Sequence, residues 1–180
     1  ELAVQPILEQ FAKDNSLYLD KKGKRVTRKG KKLTWTDLKE NKHDLDFVLE
    51  RNGTDDTLGD PVAFIETAWR RYTKHSRNKA QEIQGAIIPL SEKYRNSSPF
   101  LGVVLAGVFT EGALTQLKSN GFGVLYFPYE TVVAAFAKFG IDAAFGENTP
   151  EDDFRIKVQS WEQLQNKSDV ARELLALNKK

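Results

Sequence analysis

Two acidic side chains, Asp46 and Glu66, stand where a carboxylate is costly unless a partner, water or a cation offsets its charge. Asp46 lies in the run HDLDFVLE and Glu66 in PVAFIETAW, both of strand length. Alternation puts Leu45, Phe47 and Leu49 on one face of the first run and Asp46 with Val48 on the other. In the second run it puts Ala63, Ile65, Thr67 and Trp69 on one face and Val62, Phe64, Glu66 and Ala68 on the other. An isolated acid on a strand is usually solvated or salt-bridged. Here neither acid falls on a solvent-facing stripe, and the turn-rich segment RNGTDDTLGD makes the two runs neighbouring antiparallel strands. Two converging carboxylates suit a hard divalent cation, and Mg²⁺ with one or two carboxylates is the arrangement of phosphate chemistry. Asp55, Asp56 and Asp60 in the connecting loop are rival ligands, although turn chemistry accounts for them.

The elements that must position this pair are legible in outline. Leu2 to Lys13 reads as a helix with Leu2, Ile7, Leu8 and Phe11 inward and Glu9 on its flank. Leu17 to Leu19 begins the first strand, and the glycine-punctuated run DKKGKRVTRKGKKLTW forms its hairpin or extension. Thr36 to Glu40 reads as a short helical turn, and Asp44 to Glu50 as one strand. Lys74 to Leu90 is a polar helix whose Ala80, Ile83, Ile87 and Leu90 form one apolar stripe. The adjacent stripe His75, Lys79, Glu82 and Ala86 sits at the rim, where Lys79 could reach the carboxylates or simply pair with Glu82. Phe100 to Phe109 is a buried central strand, and Thr110 caps a helix that Gly121 ends. A strand GVLYFPY and a helix Glu130 to Phe139 follow, then a helix capped by Thr149 ahead of Pro150, and a last one from Ser168. Strand and helix alternating over 60–140 predict an α/β domain, a mixed sheet covered on both faces.

This order of elements resembles the PD-(D/E)XK nuclease superfamily, to which many type II restriction endonucleases belong. The resemblance covers about residues 1–140 and implies an α-β-β-β-α-β core, here with an extra αβ unit and a C-terminal helical extension over about 149–180. Asp46 matches the family's metal-binding Asp, and Glu66 matches the acid of its acid-x-Lys motif. The resemblance implies a Mg²⁺-dependent DNA endonuclease, with Mn²⁺ able to substitute. Asp46, Glu66 and the Thr67 backbone carbonyl would hold the metal. The motif lysine would fall at position 68, which is Ala68. Its cation would then come from Lys79, or else from Lys74 or Arg70. The alternative is a non-catalytic DNA-binding or assembly domain that kept a degenerate nuclease fold. A homodimer would suit cutting of both strands, by analogy only.

Composition bounds these readings. The 180 residues, 40% hydrophobic and 29% charged, fit a single globular domain. No apolar run approaches the ~20 residues of a membrane span, and the opening residues lack a secretory signal's basic start. Absence of cysteine excludes disulfides and thiolate zinc sites and is compatible with a cytoplasmic location. Absence of methionine, even at position 1, points to a trimmed fragment. Net charge is only +2, yet cations cluster at Lys21 to Lys32 and at Arg70 to Lys79, while acids gather in GENTPEDD. Lys24, Arg25, Arg28, Arg70, Arg71, Lys74 and Arg77 are therefore the expected phosphate contacts, against the plainer reading of a solvated loop. Two histidines are too few for a zinc site, and neither GxxxxGK[ST] nor GxSxG occurs. Trp35, Tyr72 and Tyr94 lie near cations and could stack on bases, though packing is their commoner role.

Overall fold

The computed structural model describes residues 1–73 and 76–178. Helix α1 (Gln5–Asp14) leads into β1 (Tyr18–Lys21), and a long basic loop then reaches a hairpin of β2 (Leu33–Thr36) and β3 (Lys42–Leu45). Strands β4 (Phe47–Arg51) and β5 (Asp60–Arg70) precede α2 (Ser76–Lys93), β6 (Phe100–Gly107), α3 (Glu111–Ser119) and β7 (Gly123–Pro128). Helices α4 (Tyr129–Ala137), α5 (Glu151–Gln163) and α6 (Lys167–Leu177) complete the α/β architecture. A mixed five-stranded sheet has the order β1-β4-β5-β6-β7, and β2-β3 forms a separate two-stranded sheet. The meander β1, β4, β5 is antiparallel, whereas β6 and β7 run parallel to β5 through the crossover helices α2 and α3. Among the described residues no helix is long and apolar enough to cross a membrane.

Burial follows the two periods. The stripe Ala80, Ile83, Ile87 and Leu90 of α2 packs with Ala113, Leu114 and Leu117 of α3 on Val48, Phe64, Val103 and Leu105, the front of the sheet. Leu33, Trp35 and Leu45 of the hairpin join that core, with Trp35 edge-on to Phe64 and Tyr94. Phe47, Leu49, Ala63 and Ile65 pack on α1 behind the sheet, and α4 and α6 cover Val104 and Ala106 there. Thr110 caps α3 by accepting from the Ala113 N–H at 3.2 Å, and Gly121 takes a φ of +83° just after it. Thr110→Ala is expected to cost about 1 kcal/mol, read as a lower urea midpoint.

Several boundaries differ from the expectation. Asp44 to Glu50 is not one strand. The chain leaves the β2–β3 sheet after Leu45 and enters the large sheet at Phe47, because Leu33–Thr36 offers the first half a partner of its own. Thr36 to Glu40 is not a helical turn: Thr36 ends β2, and residues 37–41 form the hairpin turn. Asp37 accepts there from the Lys39 and Asn41 N–H groups at 2.8 and 2.9 Å, from the Asn41 side chain and from His43. Helix α1 starts at Gln5, not Leu2, and α2 runs on to Lys93 through Pro89, while its expected start at Lys74 lies outside the described residues. Pro150, not Thr149, occupies the N-cap of α5, and Thr149 Oγ1 instead accepts from the Gly146 N–H.

Candidate functional site

Asp46 is the single residue between the two sheets, and that junction makes the site. Pairing of β4 with β5 stops at Phe47↔Ile65, so β5 continues from Glu66 to Arg70 beside β6 alone. A strand whose neighbour ends needs other partners for its backbone. Asp46 supplies one: its Oδ2 accepts from the Thr67 N–H at 2.8 Å and from Thr67 Oγ1 at 2.7 Å. In return the Asp46 N–H donates to Glu66 Oε1 at 3.1 Å. The two acids thus hold each other through one small hydrogen-bonded ring.

Glu66 is buried on the front face between Phe64 and Ala68, beneath α2. Burial, and then the negative charge of Asp46, push its carboxyl up to about 8, against weaker opposing pulls from the Asp46 N–H and Lys79. At neutral pH this ring lacks positive charge, and Glu66 keeps a proton unless a cation arrives. Among the described residues no three His, Cys, Asp or Glu side chains gather as a metal-binding group. Mg²⁺ keeps several waters and takes as few as one or two carboxylates. The two acids and the charge deficit between them fit such an ion.

The expected cations are distributed differently from the sequence reading. Lys79 Nζ donates to Glu82 Oε1 at 2.7 Å while its stem is mostly covered, and its charge still acts on Glu66. Arg70 turns to the Trp69 carbonyl, and its buried Nε meets no partner among the described residues. Arg71 Nε donates to the Phe145 carbonyl at 2.9 Å and its guanidinium lies 4.0 Å from the Tyr129 ring centre, so Arg71 also ties β5 to the segment around Phe145. Arg77 and Lys24 are exposed, whereas Lys74 and His75 lie outside the described residues.

Arg25 and Arg28 are corrections, because both turn inward. Arg25 Nη1 donates to Asp20 and to Glu50 at 2.6 Å, and Nη2 to Glu50 at 2.9 Å and to the Thr54 and Thr57 carbonyls at 2.7 Å. Arg28 Nη1 donates to Asp20 at 2.6 Å and Nη2 to the carbonyls of Lys21 and Gly23. Asp20, Arg25 and Glu50 are all buried. This ion cluster pins the basic loop to the β4–β5 loop, and Gly59 N–H adds a bond to Glu50 at 2.7 Å. Sequence reasoning missed Glu50 and Asp20. The one available hint was that Glu50 closes an apolar run.

The cations bordering Asp46 are Lys22 and Lys32, which share with Asp44 and Asp46 a shallow depression of about 220 Å³. Lys32 pairs with Asp44 at 2.5 Å. The rival acids lie elsewhere: Asp55 takes the Tyr18 hydroxyl at 2.7 Å, and Asp60 starts β5 at the end remote from Glu66. Glu9 pairs with Lys21 at the surface.

No protein-family model matches the sequence, and no curated protein matches it. A solved structure, that of the protein of unknown function AF1548, is similar with 13% identity and a TM-score of 0.45, over 100% of this chain and 97% of that one.

Proposed function

We propose that this chain is a metal-dependent deoxyribonuclease, a restriction-endonuclease-like enzyme or its catalytic domain, that hydrolyses phosphodiester bonds. The observation that carries the reading is the ring of Asp46, Glu66 and Thr67 at the splayed end of β4, with its buried shortage of positive charge. Asp46 and Glu66, with the Thr67 carbonyl, would hold Mg²⁺ or Mn²⁺. The bound ion supplies a polarised water and offsets charge on the phosphate. Thr67 fixes the orientation of Asp46, and Glu66 gives up its proton as the site is loaded. Lys79, released from Glu82, offers its cation to the scissile phosphate. Lys22 and Lys32 would draw the DNA backbone toward Asp46.

The experiment is cleavage of supercoiled plasmid in Mg²⁺ or Mn²⁺ against an EDTA control. Metal-dependent nicking is expected, and Lys79→Ala is expected to slow it at least roughly a hundredfold. A parental protein that binds DNA but never cuts it would favour the second reading, a non-catalytic DNA-binding or assembly domain. Two observations speak for that reading: Ala68 stands where the resemblance calls for lysine, and Lys79 is engaged with Glu82.

A further inference from the structure

Behind the sheet, on the face opposite Glu66, α1, α4 and α6 do not close over the C-terminal halves of β5 and β6. They leave a cavity of about 370 Å³. Its walls are hydrocarbon and aromatic, from Trp69 of β5, Val104 and Ala106 of β6, Phe136 of α4, and Ala171 and Leu174 of α6. Among the described residues the polar ones lining it are Thr67 and Glu1. Protein interiors are packed as densely as organic crystals, and atoms lining a void forfeit dispersion contacts. A space of this size lies within the range of small-molecule sites.

We propose that this cavity is a binding site for a neutral, largely hydrocarbon small molecule, an alkyl chain or fused aromatic ring carrying at most one polar group. The chemistry of the lining selects that class. Among the described residues no lysine, arginine or histidine lines it to neutralise an anionic head. Thr67 Oγ1 already donates its proton to Asp46, so toward the cavity it can only accept. The polar group of the ligand is therefore a donor such as a hydroxyl or an N–H. This site does not depend on the nuclease reading: its hydrocarbon walls lie behind the sheet, and Thr67, which it shares with the Asp46 ring, enters through its hydroxyl alone, whether or not a metal binds.

The test is a fluorescence titration with N-phenyl-1-naphthylamine, using 1-decanol as competitor. Saturable binding of one probe per chain, displaced by 1-decanol, is expected. Ala106→Leu and Ala171→Leu grow into the cavity from opposite walls, and each is expected to weaken binding at least tenfold. Either one suffices if it keeps a cooperative thermal transition. Phe11→Asp charges a separate apolar groove between α1 and the strands and is expected to leave binding within twofold. Absence of saturable binding overturns the proposal. So does binding that survives the cavity-filling variants, or binding lost in Phe11→Asp alone.

Discussion

Glu66→Gln is expected to abolish metal-dependent cleavage and, in the same protein, to raise stability at pH 8. Both effects have one cause. The folded-state carboxyl of Glu66 is pushed up to about 8 by burial and by Asp46, from an ordinary 4.5. Between those values the folded state holds a proton that the unfolded state has released. Unfolding stability therefore falls as pH rises through that window. Glutamine keeps the shape and an acceptor for the Asp46 N–H but carries no charge to bury. The gap between variant and parent should open by on the order of 4 kcal/mol from pH 5 to pH 8, read from urea midpoints without metal. Millimolar Mg²⁺ should close it by stabilising the parent alone. Parallel pH profiles for the two proteins would sink the buried-charge account. A parent indifferent to Mg²⁺ would sink the metal assignment.

Arg25→Met is expected to cost about 3–5 kcal/mol, because it leaves Asp20 and Glu50 buried beside one another without the cation between them. The two carbonyls of Thr54 and Thr57 lose a donor as well. Arg25→Met combined with Glu50→Leu should recover part of that loss, since two well-packed apolar groups replace a pair of charges. Recovery stays partial because the Gly59 N–H then lacks its acceptor. Urea denaturation of the three proteins measures this. A cost below about 1 kcal/mol for Arg25→Met, the range of exposed ion pairs, would mean the cluster is solvated.

The fold was legible where period and burial coincide. Ala80, Ile83, Ile87 and Leu90 announce the buried face of α2, FLGVVLAG announces a central strand, and Thr110 announces a cap. Site legibility was poorer, for physical reasons. HDLDFVLE alternates without a break, so nothing in it says that Leu45 and Phe47 serve different sheets. That depends on LTWT, a distant partner. Arg25 and Arg28 sit among lysines in a run that any charge count assigns to solvent. Their inward turn depends on Asp20 and Glu50, brought near by the pairing of β1 with β4. The buried member of a charge run is chosen by tertiary pairing, not by its own neighbours.

The one-residue junction at Asp46 has a mechanical meaning. The β2–β3 hairpin is anchored to α2 through Lys93, whose Nζ reaches Thr36 Oγ1 at 2.9 Å. No ladder ties it to the five-stranded sheet. Its hold on that sheet is side-chain packing, through Leu33, Trp35 and Leu45 in the shared core, so a loosening of that packing would be felt first at Asp46, where the main chain crosses between the sheets. Lys32 at the root of the hairpin is exposed and linked to Asp44 on the opposite strand. That ion pair stands two residues before Asp46, so the charge at the mouth of the depression and the carboxylate of the ring share one short stretch of chain.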